Sequence, residues 1–314
     1  MSFSGDVKEE LSRQISSSRH CQLAELAAIF GMNGKITVND SHQTVLQIST
    51  ENVSLARKCY KLIKEAFQIQ TELDIRPFHA LGKNHSYVIM VEEQAEVERM
   101  LHAFKLIDDK GQPVTDVAVV NRQLILHECC KRAFLRGCFL ASGSMSDPEK
   151  FYHFEIVCDT MKEAMQLCNI MGSFEMDAKI VERKHHFVVY LKEGTQIVDM
   201  LNVMEAHVSL MQMENVRILK DMRNSVNRQV NCETANLNKT VNAAVKQIED
   251  IRLVQEQKGL ESLPKTLREV AQIRLENPEA SLKELGEMLE PPIGKSGVNH
   301  RLRKISEIAE DMRG

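Results

Sequence analysis

Between Gly294 and Lys304 the chain carries four Lys or Arg residues and no acid. Arg and Lys can pair with guanine edges and Asn with adenine, and all three can hold phosphates. Asn299, His300 and Arg303 therefore form a candidate base-reading face. Lys295, Arg301 and Lys304 are candidate phosphate grips, with Ser296 and Lys283 counted in the same DNA-binding set. Such a set works only if a helix aligns it, and the sequence from Ser262 onward predicts three helices. The first has Pro264 in its opening turn and ends near Glu276, before Asn277-Pro278. Ser281 and Glu284 make a capping box for a second, Leu282 to Leu289, with Leu282, Leu285 and Leu289 facing inward. A turn through Glu290-Pro291-Pro292-Ile293-Gly294 leads to the third. Ser296 can cap this helix, and Val298, Leu302, Ile305, Ala309 and Met312 bury one side of it. This is the order of a helix-turn-helix whose last helix enters the major groove, with a turn longer than the usual 3–4 residues or so. The alternative is a solvated basic helix on a small bundle.

A second polar row precedes it. From Glu214 to Lys258 a long helical pattern carries an apolar stripe of Val226, Val230, Leu237, Val241, Ala244, Ile248 and Ile251. Beside the stripe lie Asn224, Asn227, Arg228, Asn231, Asn238 and Asn242. Asn is a mediocre helix former, so this density suggests hydrogen-bonding work, and Asn227 and Arg228 join the candidate DNA contacts. A solvated face, or polar contacts to a neighbouring domain, is the competing reading.

Two segments 109 residues apart look like copies of one helix: Leu26-Ala27-Ala28-Ile29-Phe30-Gly31-Met32-Asn33-Gly34 and Leu135-Arg136-Gly137-Cys138-Phe139-Leu140-Ala141-Ser142-Gly143. Small residues such as Ala28 and Gly137 suit helices that pack closely. Both segments resemble the LAGLIDADG helix of homing endonucleases, whose eighth residue is a metal-binding acid. Here that residue is Asn33 in one copy and Ser142 in the other. Two-metal phosphodiester chemistry needs carboxylates to hold the cations, and an amide and a hydroxyl do not replace them. The reading is a nuclease scaffold kept for shape or binding, with no catalytic residue.

After each copy the chain repeats one order of elements, αββαββα. In the first half, strand-like Thr44–Ile48, helical Glu51–Ala66, strands at Glu72–Ile75 and Tyr87–Val91, and a helix from Glu93 to Phe104 follow the motif. The second half offers Phe154–Val157, a helix Thr160–Met171, strands at Asp177–Ile180 and Phe187–Leu191, and a helix Gly194–Met204. Ser4, Asp6 and Glu9 predict a capped helix to about Ile15. The expected fold class is α+β: a duplicated αββαββα unit, then an all-α helix-turn-helix domain. The expected divisions are an N-terminal helix (1–20), two repeats (21–110 and 120–213), a helical linker (214–260) and the tail domain (262–314).

Composition fits a cytoplasmic protein. The net charge is −4, no apolar run reaches the ~20 residues of a membrane helix, and the N-terminus lacks a signal-peptide pattern. From residue 215 onward 17 Lys and Arg face 15 Asp and Glu, so nucleic-acid contact points toward the tail. The eight cysteines form no CxxC pair and read as reduced core thiols, with no disulfide frame, metal site or cofactor.

Two strings carry a more specific resemblance. Asn227-Arg228-x-x-Asn231-Cys232-x-x-Ala235-Asn236-x-x-Lys239-Thr240 and Lys295-Ser296-Gly297-Val298-Asn299-His300-Arg301-Leu302-Arg303-Lys304 resemble the hallmark segments of the bacterial WhiA family. Phe134-Leu135-Arg136-Gly137 and Ala141-Ser142-Gly143-Ser144 fit it as well, so the resemblance covers essentially the whole chain. It implies a non-enzymatic regulator that binds double-stranded DNA. In actinobacteria such members activate sporulation and division genes; in Firmicutes, which this Lys- and Met-rich form resembles, they are nucleoid-associated and tied to cell division and chromosome segregation. Three alternatives stand beside this. The double scaffold could dock RNA polymerase or a division factor. Its hairpin residues Arg183, Lys184, His185 and His186 could touch DNA or simply form a solvated turn. Asp147, Glu149 or Glu155 could supply a metal site for cleavage.

Overall fold

The computed structural model describes residues 2–69, 71–77, 85–108, 111–114 and 116–313. The chain divides into two compact units, 1–220 and 221–314. In the first unit, α1 (Phe3–Arg13) precedes α2 (Arg19–Asn33), β1 (Gly34–Val38), β2 (Thr44–Thr50), α3 (Val53–Phe67), β3 (Glu72–Pro77), β4 (His85–Val91) and α4 (Gln94–Phe104). The order then repeats as α5 (Glu128–Ser142), β5 (Gly143–Met145), β6 (Phe154–Cys158), α6 (Met161–Gly172), β7 (Lys179–Arg183), β8 (His186–Leu191) and α7 (Gly194–Val203). Each half forms an antiparallel four-stranded sheet of the same topology, β1-β2-β4-β3 and β5-β6-β8-β7. The expected αββαββα duplication is thus present. The short opening strands, β1 and β5, had no clear alternation to mark them.

Both opening strands begin at a glycine directly after the motif helix. A Cβ on Gly34 or Gly143 would lie 2.4 or 2.7 Å from the carbonyl oxygen of Phe30 or Phe139. Their φ values are ordinary, −92° and −78°, so close approach is what excludes a side chain here. Local boundaries moved where a better cap was available. Ser2, not Ser4, caps α1, its hydroxyl accepting from the Gly5 N–H at 3.2 Å, and the helix ends at Arg13. Ser4 instead accepts from the Met145 N–H at 3.1 Å, bringing α1 to β5. α6 gains a capping box from Thr160 and Glu163.

α2 and α5 are the most intimate pair in the first unit. A Cβ on Gly137 would meet the Glu25 carbonyl oxygen at 2.6 Å and the Ala28 Cβ at 2.9 Å, so the helices touch backbone to backbone. Beside that contact lies a buried ion network that sequence reading did not anticipate. Glu25, fully buried on α2, accepts from Lys58 Nζ of α3 at 2.5 Å and from Arg136 Nε of α5 at 3.0 Å. Lys58 also donates to the Leu11 carbonyl at 2.7 Å, and Arg136 reaches Glu205 at 2.6 Å. Burial pulls the Lys58 ammonium below its ordinary pKa, and Glu25 beside it opposes that pull.

The cysteines require a correction. Cys21, Cys59, Cys130, Cys138 and Cys158 are buried core thiols as expected, but Cys129 and Cys232 are exposed, and Cys21, Cys129 and Cys130 gather with His20 where α2 and α5 begin. Their sequence separation hid this. Burial, reinforced by Cys129, pushes the Cys21 thiol up to about 12.

Glu25→Ala leaves Lys58 as an uncompensated buried cation and Arg136 with only its half-exposed partner Glu205, and should cost about 3–5 kcal/mol, read by denaturant unfolding. An apolar triple replacement, Glu25→Leu with Lys58→Met and Arg136→Met, should recover most of that loss. If Glu25→Ala alone unfolds like the parent, the network contributes little.

Candidate nucleic-acid interface

α8 (His207–Lys258) contributes its first turns to the first unit and the remainder to the second. The second unit continues with α9 (Lys265–Glu276), α10 (Leu282–Glu287) and α11 (Lys295–Arg313). The three expected helices are present, and Ser281 and Glu284 form the capping box reciprocally, at 3.3 and 2.7 Å. Those bonds from Ser281, backbone first, hold the Glu284 carboxyl below its ordinary range. Two details differ from the sequence reading. Pro264 precedes α9 as its cap residue. Ser296 lies inside the first turn of α11 and does not cap it; the Gly294 carbonyl accepts the opening hydrogen bonds, from Gly297 and Val298.

The core of this unit reaches further back than expected. Ile251 and Val254 of α8 pack with Leu267, Val270 and Ala271 of α9, Leu285 and Leu289, and Val298, Leu302, Ile305 and Ala309 of α11. The end of the expected linker is therefore part of the helix-turn-helix core. Polar ties reinforce it: Arg313 pairs with the buried Asp250 at 2.8 Å, and Lys246 with Glu310 at 3.1 Å. Arg274, buried and lowered in pKa by that burial, donates to Gln247 Oε1 at 2.9 and 3.1 Å and to the Ala280 carbonyl at 2.6 Å. Within the turn, a Cβ on Gly286 would stand 2.2 Å from the Ile293 carbonyl oxygen, and Ile293 N–H donates to the Gly286 carbonyl at 3.0 Å. Nothing in the sequence marked Arg274 or Gly286.

With Val298, Leu302, Ile305 and Ala309 turned inward, Ser296, Asn299, His300, Arg303 and Lys304 are exposed together on the opposite side of α11, as is Lys295 at its start. Arg303 lies 3.6 Å from Glu307 on its own helix, a weak exposed pair that a phosphate or base could replace. Arg301 is half-buried and donates to the Thr266 carbonyl at 3.4 Å, so it also ties α11 to α9. Lys283 is exposed on α10, 3.8 Å from Glu287.

Asn227 and Arg228 sit elsewhere. Every residue from 221 to 243 is exposed, so the Asn row faces solvent. The apolar stripe beside it packs only at its end: Val226, Val230, Leu237 and Val241 are exposed, whereas Ile251 is buried.

In the first unit, Asn33 and Ser142 are the last residues of α2 and α5. Asn33 Nδ2 donates to the Ser49 carbonyl at 3.1 Å, its Oδ1 is buried without a partner among the described residues, and Ser142 Oγ lies 3.2 Å from the Met32 sulfur. Glu155 accepts from Ser144 at 3.0 Å and lies 3.0 Å from His153 and 3.5 Å from Arg183; burial raises its carboxyl, but these partners prevail and lower it. Lys184 and His185 turn the β7–β8 hairpin with φ of 47° and 69°, as a tight two-residue hairpin loop requires, and His186 lies 3.0 Å from Asp159.

Comparison with known proteins covers both units. Family models match over three segments: the WhiA N-terminal LAGLIDADG-like domain at 19–107, the WhiA LAGLIDADG-like domain at 131–223 and the WhiA C-terminal HTH domain at 226–309. A "Probable cell division protein WhiA" of Lachnoclostridium phytofermentans is 52% identical over 319 residues, covering 100% of both chains. One of the same description from Clostridium novyi is 46% identical over 314 residues, covering 100% of this chain and 99% of that one. The crystal structure of full-length DUF199/WhiA from Thermatoga maritima superposes with a TM-score of 0.60 at 26% identity, covering 99% of each chain.

Gly286→Ala should push the 291–294 segment off α10. The expected cost is about 1–3 kcal/mol, seen as faster hydrogen exchange across α9–α11 with exchange in the first unit unchanged. Parent-like protection would mean the turn relaxes freely.

Proposed function

The chain belongs to the WhiA family, and on that footing we propose that it is a non-enzymatic protein that binds double-stranded DNA through α11. One observation carries this reading. Lys295, His300, Arg301, Arg303 and Lys304 occupy the N-terminal half of α11, while Glu307, Glu310 and Asp311 occupy the C-terminal half, where the base Arg313 is engaged by Asp250. That polarity opposes the helix macrodipole, which favours acids at the start and bases at the end. A helix charged in the disfavoured sense makes physical sense where an anion sits against its N-terminal half, and the DNA backbone is such an anion. Asn299, His300 and Arg303 then read base edges, and Lys295, Ser296, Lys304 and the exposed edge of Arg301 hold phosphates, with Lys283 beside them. Asn227 and Arg228, exposed on α8, are further backbone contacts.

The first unit serves as scaffold in this reading, without cleavage. Support comes from the two positions where the related nuclease helix carries its acids: an amide and a hydroxyl stand there, each engaged with a neighbouring atom. The relatives' description as probable cell division proteins supports a role in division, exercised on the nucleoid and extending to chromosome segregation. Transcriptional activation of division or sporulation genes is the finer alternative. It would require the chain to engage RNA polymerase, whereas a division factor would be the partner in the first case.

Fluorescence anisotropy of the full chain on duplex DNA across a salt series tests the reading. Lys304→Ala should weaken all duplexes alike and reduce the salt slope by about 1, whereas Arg303→Ala should cost about 1–3 kcal/mol at a preferred site and relax selectivity. The assignment fails if Arg303→Ala changes neither specific nor non-specific affinity. Lys295→Glu should weaken DNA binding while raising helix stability by about 0.3–1 kcal/mol; a loss of both would point to a structural role. Supercoiled plasmid incubated with the protein and magnesium or manganese should remain intact, and nicking would overturn the non-enzymatic assignment.

A further inference from the structure

The two motif helices meet at both ends, and their N-terminal ends hold a donor set that the DNA-binding role does not use. His20 and Cys21 are the second and third residues of α2; Cys129 and Cys130 are the second and third residues of α5. The offset of 109 residues that relates the repeats also relates these pairs, His20 to Cys129 and Cys21 to Cys130. Each repeat supplies one exposed and one buried donor. His20 Nδ1 lies 3.2 Å from the Cys130 sulfur, 3.4 Å from Cys21 and 4.0 Å from Cys129, and all four donor atoms fall within 4.8 Å of one another. Donors around a tetrahedral zinc ion, with bonds of about 2.0–2.3 Å, stand about 3.5–3.8 Å apart. The observed spacings bracket that value.

From this geometry we propose that His20, Cys21, Cys129 and Cys130 form a structural Cys3His site for one zinc ion, lying between the two repeats. Three thiolates and an imidazole are the ligand set of a closed structural site, and no position remains for water or substrate. Binding replaces three thiol protons with the cation, so protons are released and no oxidant is needed. The ion joins residues that lie more than 100 positions apart, and it therefore acts as a clamp on the α2–α5 pair. It is neither a hydrolytic centre nor part of the DNA-reading face. The same three sulfurs could instead close a disulfide across the repeats, and the experiment separates the two.

The test uses the full-length chain, reduced, stripped with a chelator and kept free of air, with cobalt(II) as the spectroscopic probe. Thiolate-to-cobalt charge-transfer absorption should saturate at about one equivalent, and zinc should erase it. Cys129→Ser and His20→Asn both alter exposed positions and should leave the fold intact, yet each should weaken cobalt binding by roughly a hundredfold or more. Cys232→Ser, an exposed cysteine on α8, should not change it. Zinc should also raise the thermal midpoint of the parent and leave Cys129→Ser unmoved. The proposal is overturned by absence of the charge-transfer band while all eight cysteines assay as reduced. An unchanged band in Cys129→Ser, or a disulfide mapped among the three cysteines in protein isolated without air, overturns it equally.

Discussion

The backbone contact between α2 and α5 is the constraint on which the first unit depends. With Gly137 against the Glu25 carbonyl, the axes can approach only if small residues occupy the seam, which explains Ala28 and Gly137 at equivalent positions. The same approach buries whatever flanks the seam. Glu25 could not face Arg136 and Lys58 without water unless these charges compensated one another, with Glu205 completing the balance, because removing an isolated charge from water costs several kcal/mol or so even after relaxation. The network is better understood as a register device than as a source of stability. Sliding α5 by one turn would part Arg136 from Glu25 and remove the ion pair that joins the two motif helices.

The second unit solves a different problem. Three short helices of the tail bury few side chains, and a domain of about 50 residues is marginal when it stands on such a core. Ile251 and Val254 enlarge that core by two turns of α8, and the Asp250–Arg313 and Arg274–Gln247 contacts fix where those turns lie. The inner side of α11 is thereby held by aliphatic packing, with the Arg313–Asp250 and Lys246–Glu310 pairs fixing its C-terminal end. Its outer side is left free for charge that works against its own dipole.

Much of this was legible in the sequence because it is local or periodic. The repeat appears as two similar nonapeptides, the capping box at Ser281 and Glu284 as two residues three apart, and the inner side of α11 as a stripe. The helices of both repeats fell within a few residues of their observed limits. What remained hidden is non-local: Glu25 and Arg136 stand 111 positions apart, and Cys21 and Cys130 109 apart, so no windowed pattern joins them. The repeat itself held the missing signal, since its own offset maps one Cys pair onto a His-Cys pair. The long helix misled for the opposite reason. Its apolar stripe is continuous in sequence, but only its last turns meet a neighbour, and periodicity reports amphipathicity without reporting a partner.

The two ends of the α2–α5 pair have diverged in a way electrostatics accounts for. At the C-terminal ends, where Asn33 and Ser142 now stand, a carboxylate would lie at the negative pole of its own helix and beside a second such pole. Two acids there are tolerable when bound cations compensate them, and are a liability of about 0.3–1 kcal/mol each when no cation is held. Neutral groups that hydrogen-bond locally avoid that cost, as the Asn33 amide does in donating to the Ser49 carbonyl. At the N-terminal ends the sign is reversed. There the poles are positive, so the backbone does not repel the donor set of His20, Cys21, Cys129 and Cys130, although burial raises the Cys21 and Cys130 thiols. The neutral Asn33 and Ser142 at one end and that donor set at the other thus lie in opposite fields of the same pair of helices.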